Sequence, residues 1–248
     1  MRILVVNPNT TASFTADINE TAQAVRAAGT AITCLNPASG PSSIESDYDE
    51  AMSVRPCLEL ILPRQHEFDG FVIACYGHHP VVHAAREILR QPVIGIMEAS
   101  LHLACMVGHR FSIITSGDRA VSMFSRGVAA LGLKDRCASI RSTGTPVLAL
   151  EGDHKADVRA LILAEAKKAL AEDEAEVISL GCAGMVGLDK QLTAELGVPV
   201  IDGVAAGVKA MEALLGCGLQ TSKQLTYRPI EAKPFLNMPD LFANPAGH

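Results

Sequence analysis

The sequence contains no tryptophan, and aromatic residues make up only 4% of its 248 residues. A surface on which nucleic-acid bases stack is therefore not expected. The net charge of −6 is spread along the chain without long runs of one sign, so the basic footprint of a nucleic-acid-binding protein is also missing. We expect a protein that binds no nucleic acid.

Long apolar runs are missing as well. No stretch approaches the roughly 20 uncharged apolar residues that a membrane span needs. Only four apolar residues follow Met1-Arg2 before Asn7-Pro8 interrupts them, so we identify no secretory signal. The seven cysteines are an odd number in a chain long enough to bury a sizeable core, which favours reduced thiols over disulfides. The sequence therefore predicts a cytoplasmic protein with no membrane partner.

The motifs of common cofactors and metals are also absent or incomplete. No Gly-x-Gly-x-x-Gly follows the first apolar run and no Walker A loop occurs, so dinucleotide and nucleoside triphosphate binding are disfavoured. His79 and His83 are four residues apart, with His78 adjacent, and two of these imidazoles would share a helix face. Because the spacing specifies no third ligand, we favour polar residues lining a pocket over a metal site. We expect neither a cofactor nor a metal.

Short apolar runs alternate with helical stretches along the whole chain. Such alternation is typical of an α/β fold with parallel sheets. The predicted strands are residues 3–6, 31–35, 70–75, 93–96, 111–114, 136–140, 177–180 and 199–201. The predicted helices are residues 13–28, 48–62, 80–89, 119–131 and 157–171. Residues 36–46 are rich in Pro, Gly and Ser, which indicates a loop over a pocket mouth.

The two halves of the chain repeat one plan. Cys75 and Cys182, each following an apolar run, are 107 residues apart, and Pro92 and Pro199 have the same separation. Such a constant offset favours duplication and two pseudo-symmetric lobes, each a parallel sheet flanked by helices. We predict a first lobe at residues 1–97, completed by a helix near 203–216. The second lobe is predicted at 98–202, followed by a tail at 217–248 that wraps a lobe or a partner subunit.

Polar, small or thiol-bearing residues follow four of the predicted strands. They occupy residues 7–11, 75–79, 115–118 and 182–185. Because ligands of parallel sheets bind beyond the carboxyl ends of the strands, these stretches predict an active site in the cleft between the lobes. Gly77, Ala183 and Gly184 would let backbone N–H groups approach a ligand. Helix N-termini there would lower the pKa of the two thiols.

Two thiols that face each other across a planar ligand suit one reaction. A thiolate on one side removes a proton from carbon, and a thiol on the other side returns one, which inverts a stereocentre without a cofactor. The residues alone leave a second interpretation open, because free cysteine is among the most buried residue types. Cys75 and Cys182 differ from the other five cysteines only in their matched positions after strands.

Five segments together resemble the hydantoin/allantoin racemase family of the aspartate/glutamate racemase superfamily. The resemblance preserves their order and spacing and extends to about residue 215. The segments are Asn7-Pro8-Asn9-Thr10, Ile73-Ala74-Cys75-Tyr76-Gly77, Val93-Ile94-Gly95-Ile96-Met97-Glu98-Ala99, Ile113-Ile114-Thr115-Ser116 and Leu180-Gly181-Cys182-Ala183-Gly184-Met185.

The resemblance implies an isomerase, a cofactor-independent racemase that is a homo-oligomer and acts on a small molecule. Cys75 and Cys182 would be its catalytic acid and base. Residues in the matching segments would hold the ring carbonyls and amides of a 5-substituted hydantoin or allantoin. These predicted substrate-binding residues are Asn7, Thr10, Tyr76, Gly77, His78, Thr115, Ser116, Ala183 and Gly184.

One segment departs from the family pattern. The family has Gly-Asp-Pro-Gly after the first cysteine and its aromatic neighbour, whereas this chain has Gly77-His78-His79-Pro80. Two imidazoles at the pocket edge would change the substituent accepted, and a protonated histidine would favour an anionic substrate. A racemase of an acidic amino acid and a related decarboxylase or isomerase therefore remain alternatives. A non-catalytic ligand- or metal-binding α/β protein is the alternative outside enzymes.

Overall fold

Two parallel β-sheets, each with four strands, form the framework of the chain. The computed structural model describes residues 1–150 and 155–243. The first sheet has the order β2-β1-β3-β4 and the second has the order β6-β5-β7-β8. In chain order the strands are β1 (Arg2–Val6), β2 (Ala31–Leu35), β3 (Gly70–Ile73), β4 (Val93–Gly95), β5 (Phe111–Thr115), β6 (Cys137–Ser142), β7 (Val177–Leu180) and β8 (Val200–Ile201). The two sheets thus share one topology, which confirms the predicted α/β class.

Helices flank both sheets. They are α1 (Ala12–Val25), α2 (Asp47–Ile61), α3 (Pro80–Ile88), α4 (Ile96–Val107), α5 (Asp118–Ala130), α6 (Lys155–Glu172), α7 (Asp189–Leu196) and α8 (Gly203–Gly216). None of the helices in the described part of the chain combines the length and the apolarity needed to cross a membrane. The strands β3, β5 and β7 are buried along their whole length. This burial explains why the sequences of these strands are nearly continuous apolar runs.

Several element predictions were wrong in detail. The fourth strand ends at Gly95, and α4 begins directly after it, because Gly95 has the extended backbone of a helix N-cap. The predicted strand at 136–140 starts one residue later, after a 3₁₀ turn at Lys134–Arg136. The helices α4 and α7 were not predicted. Both faces of α4 carry apolar residues, so the sequence shows no clear helical period there.

A shared hydrophobic core joins the two sheets. One cluster contains Ile3 and Val72 of the first sheet together with Ile113 and Val177 of the second. Helix α8 packs against α4 and against strands β3 and β4, so it lies on the first sheet although it follows the second in the chain. The shared core fixes the carboxyl ends of the two sheets relative to each other. The predicted boundary between the two lobes at residue 97 stays a prediction.

The segment after α8 lies against the first sheet's helices. The N–H of Thr221 donates to the carbonyl of Arg90 at 2.9 Å, and the hydroxyl of Tyr227 lies 2.7 Å from Nδ1 of His83. Phe242 is buried in the cluster that α2 and α3 form with this sheet. Thr221, Tyr227 and Phe242 of this segment thus contact the elements around the first sheet, whereas the predicted boundary of the tail stays a prediction. Residues 244–248 lie outside the described residues.

Candidate active site

A cavity of about 480 Å³ opens at the carboxyl ends of strands from both sheets. Its wall includes residues that follow or end β1, β3, β5 and β7, as the sequence predicted for ligands of parallel sheets. Both predicted catalytic cysteines line it. The predicted substrate-binding residues that line it are Asn7, Tyr76, Thr115, Ser116, Ala183 and Gly184. Thr10, Gly77 and His78 are not part of its lining.

The two cysteines occupy equivalent places in the two sheets. Cys75 follows β3 and Cys182 follows β7, and these strands hold the same position in the two strand orders. Both side chains are partly exposed, and both line the same cavity. A negative charge on Cys182 would raise the pKa of Cys75. The structure thus places one thiol on each sheet's side of a single cavity.

Both thiols have a raised pKa, and the prediction of lowered values was wrong. Burial raises the pKa of Cys75 well above its usual range, and the Glu50 carboxylate adds to this effect. Burial raises the pKa of Cys182 to about 11. The N–H of Gly184 donates to Sγ of Cys182 at 3.3 Å and lowers that pKa, but desolvation outweighs a single donor. In the free protein near pH 7 both cysteines are therefore thiols.

A tight loop holds Cys182 against the second sheet. Cys182 caps a 3₁₀ turn at Ala183–Met185, and the hydroxyl of Thr115 donates to the carbonyl of Gly181 at 3.3 Å. A Cβ atom at residue 181 would lie only 2.9 Å from the carbonyl oxygen of Ile114. Position 181 therefore requires glycine, and this close approach fixes where the loop delivers the thiol.

The segment after β1 is held by its own side chains. Asn7 is 1% exposed, and its Nδ2 donates to the side chains of Asn9 and Thr15, each at 3.0 Å. The N–H of Thr10 donates to the carbonyl of Pro41 at 2.9 Å. Residues 7–11 thus anchor the loop at 36–46. The end of this loop, residues 44–46, lines the cavity.

Tyr76 lines the cavity, and its side chain is buried between the two sheets. The ring packs against Phe124 with centroids 5.2 Å apart, and the hydroxyl lies 2.7 Å from Oγ of Ser179 on β7. Oγ of Ser179 in turn donates to Oγ of Ser100 on α4 at 3.3 Å. These buried hydroxyls join the segment after β3 to the second sheet.

Replacing Tyr76 by phenylalanine will lower the free energy of unfolding by about 1 kcal/mol, because it removes one partner of a buried hydrogen bond. Urea denaturation measures the change through the transition midpoint. The matched control is Tyr48→Phe, since Tyr48 is 71% exposed. A Tyr76 variant as stable as the control would show that this hydroxyl does not hold the two sheets together.

The histidines lie away from the large cavity. His78 and His83 have their Nε2 atoms 3.0 Å apart and line a second cavity of about 260 Å³ beside α3. His79 is 1% exposed, and its Nδ1 accepts from the N–H of Val81, so its Nε2 carries the proton that faces Oγ of Ser53 at 3.0 Å. Burial lowers the pKa of His79 to about 4. A neutral, buried His79 is not suited to bind an anion, and the substrate-binding role of His78 stays a prediction.

The described residues include no group of three or more histidine, cysteine or acidic side chains placed to hold a metal ion.

Sequence reasoning missed two of the acidic side chains of the cavity, Asp49 and Glu50. Four carboxyl groups line it, and the only cation among its described lining residues is one arginine. The carboxyl groups belong to Glu45, Asp49, Glu50 and Asp118, and the arginine is Arg119. Glu50 is the most buried of them and shares a helix face with Ser53, Cys57 and Ile61. A charged residue on the buried face of an amphipathic helix is the signal that identifies it in the sequence.

Comparison with known proteins gives consistent matches over nearly the whole chain. The family model described as Asp/Glu/Hydantoin racemase matches residues 3–211. A hydantoin racemase of Pseudomonas sp. (strain NS671) is 44% identical over 237 residues, which cover 95% of this chain and 94% of that protein. A hydantoin racemase of Rhizobium meliloti is 47% identical over 230 residues, covering 92% and 94%. The solved allantoin racemase from Klebsiella pneumoniae superposes with a TM-score of 0.93 at 42% identity, covering 99% of each chain.

Proposed function

The chain belongs to the Asp/Glu/hydantoin racemase family and is a racemase, and we propose that it inverts the stereocentre of a 5-substituted hydantoin or of allantoin by proton transfer between two thiols. The observation that carries the mechanism is the placement of Cys75 and Cys182 after equivalent strands, on two sides of one cavity. The named relatives support the substrate class.

The proton transfers balance within the pair of thiols. One cysteine, as thiolate, takes the proton from C5 of the ring and becomes a thiol. The electron pair of the broken C–H bond moves onto the neighbouring carbonyl as an enolate. The other cysteine then gives its proton to the opposite face of C5 and becomes the thiolate. The product is the enantiomer of the substrate, and the enzyme is left in the protonation state that catalyses the reverse reaction.

The amino terminus of α5 provides a favourable place for the enolate charge. Ser116 and Gly117 lead from the end of β5 into α5, and residues 118–120 of its first turn line the cavity. The N–H of Ala120 donates to the carbonyl of Gly117 at 3.1 Å, whereas the N–H groups before it have no partner within the helix, and the helix dipole adds partial positive charge there. A developing oxyanion near these donors is stabilised without reorganisation of the site.

The charges of the cavity favour a neutral ring over an acidic amino acid. Four carboxyl groups face one guanidinium group in its lining, so a second carboxylate brought in by aspartate or glutamate would meet net repulsion. A hydantoin ring is neutral and carries N–H donors that carboxylates accept. This balance also weighs against the dicarboxylate substrates of a decarboxylase. Cofactor independence, a homo-oligomeric state and a cytoplasmic location remain parts of this proposal.

Polarimetry of single enantiomers tests the proposed function. Each enantiomer of a 5-substituted hydantoin and of allantoin should lose its optical rotation near pH 7.5 in the presence of a chelator, and both should approach zero rotation. A blank without enzyme corrects for spontaneous racemisation. Racemisation of aspartate or glutamate with no reaction of any hydantoin or allantoin would contradict the proposed substrate class.

A further inference from the structure

Glu50 is a largely buried residue whose carboxyl group has no hydrogen-bond partner among the described residues. It lines the cavity beside Cys75, and it is 8% exposed. Within residues 1–150 and 155–243 its carboxyl group accepts no hydrogen bond. No fully buried side-chain oxygen or nitrogen in the described residues lacks a partner, so the carboxyl oxygens of Glu50 are accessible from the cavity that this residue lines. A carboxylate so placed can accept hydrogen bonds from a ligand that displaces the cavity water.

We propose that Glu50 determines specificity by accepting a hydrogen bond from an N–H group of the substrate ring or its ureido substituent, and by rejecting ligands that place a carboxylate there. This inference rests on the proposed function, since it assigns the substrate's N–H groups to that site. The ligand class it selects is the closed, neutral ring. The class it rejects is the ring-opened N-carbamoyl amino acid, which keeps the ureido atoms but ends in a carboxylate.

The protein fixes Glu50 from two sides. Its backbone carbonyl accepts from Oγ of Ser53 at 2.8 Å, and Ser53 is held by the buried His79. On the other side, a Cβ atom at residue 77 would lie 2.7 Å from Oε1 of Glu50, so Gly77 leaves the space that the carboxyl group occupies. Gly77 thus shapes the site although it does not line the cavity. These contacts hold the carboxyl group next to the segment that carries Cys75.

The charge state of Glu50 depends on groups from several elements. Burial raises its pKa to about 7, the carboxylate of Asp47 raises it further, and the guanidinium of Arg126 on α5 lowers it. Arg126 and Asp47 form an exposed ion pair with N···O distances of 2.6 and 2.8 Å. The other titratable or charged groups that face this part of the cavity are Glu45, Asp49, Cys75, Asp118, Arg119 and Cys182. Titration of Glu50 between pH 6 and 8 gives the site a measurable signature.

Calorimetric binding of an N-carbamoyl amino acid tests the inference independently of turnover. Its carboxylate stays ionised from about pH 5.5 to 8, since carboxyl groups titrate near pH 4. In the unchanged protein the affinity should fall about tenfold across this range as Glu50 ionises and repels the probe. The Glu50→Gln variant should bind the probe with nearly constant affinity, equal to or tighter than that of the unchanged protein at low pH.

Matched variants separate Glu50 from other titrating groups. Arg126→Gln removes a cation and should move the midpoint of the affinity change to higher pH, whereas Asp47→Asn should move it to lower pH. Glu45→Gln removes another carboxylate of the cavity and should leave the pH-dependent fall in place. An unchanged pH profile in Glu50→Gln would overturn the inference, as would the absence of probe binding to the unchanged protein at pH 5.5.

Racemisation by the same preparations keeps the two proposals apart. If the unchanged protein racemises a hydantoin but Glu50→Gln still discriminates against the probe as before, the specificity role fails and the proposed function stands. If no hydantoin or allantoin is racemised, the proposed function fails regardless of probe binding. Glu50→Gln should raise KM for the neutral substrate several-fold with a smaller change in kcat, because glutamine keeps an acceptor but loses the charge.

Discussion

Replacing Cys182 by serine will lower the rate of racemisation by about 10³- to 10⁴-fold, and replacing Cys75 will do the same. Each inversion needs a base on one face of the ring and an acid on the other. A serine hydroxyl is far less acidic than a thiol, so it supplies no base near pH 7. The initial change in optical rotation of a single enantiomer measures the loss.

The serine variants should keep the fold, so the loss will report chemistry. Oγ of a serine at position 182 can accept from the N–H of Gly184 as the sulfur does. Cys217→Ser is the matched control, because Cys217 is exposed and lies outside the cavity. It should retain the full rate. A variant at position 75 or 182 that keeps more than a tenth of the original rate would contradict proton transfer by two thiols.

The rate should also rise steeply with pH. Burial raises the pKa of Cys182 to about 11 and the pKa of Cys75 well above its usual range, so the thiolate is a minor species near pH 7. Below its pKa the thiolate fraction grows about tenfold per pH unit. We therefore expect kcat/KM to increase by about 10²-fold between pH 7 and pH 9.

Initial rates with one enantiomer across that range test the pH prediction. The rate without enzyme is subtracted at each pH, since hydroxide also removes the C5 proton. A profile that is flat from pH 7 to 9 would mean that a thiolate already exists at neutral pH. In that case another group must offset the desolvation that raises the pKa values of Cys75 and Cys182.

The positions of the two cysteines could be predicted from the sequence because they follow from strand geometry. Cys75 and Cys182 come directly after apolar runs of equal spacing, and parallel strands bring their carboxyl ends to one edge of a sheet. The shared strand order of the two sheets bears out that reasoning. Helix α4 escaped prediction because apolar residues on both of its faces obscure the hydrophobic period.

The electrostatics of the site could not be predicted in the same way. The depth of burial decides the thiol pKa values, and it depends on how the two sheets close over the cavity. His79 turns inward as the N-cap of α3, which the neighbouring residues alone do not reveal. Glu50 belongs to no motif. Its surroundings include Ser53, three residues along the same helix, and Gly77, which is distant from both in the sequence.

Hydrogen exchange at C5 in D₂O, followed with each enantiomer in Cys75→Ser and in Cys182→Ser, tests the central claim most directly. Each variant keeps one thiol on one face of the ring. At high pH one variant should therefore exchange the C5 hydrogen of one enantiomer only, and the other variant should exchange that of the mirror image, both without inversion. Exchange of both enantiomers by one variant, or inversion by either variant that keeps pace with its exchange, would contradict the assignment of one thiol to each face.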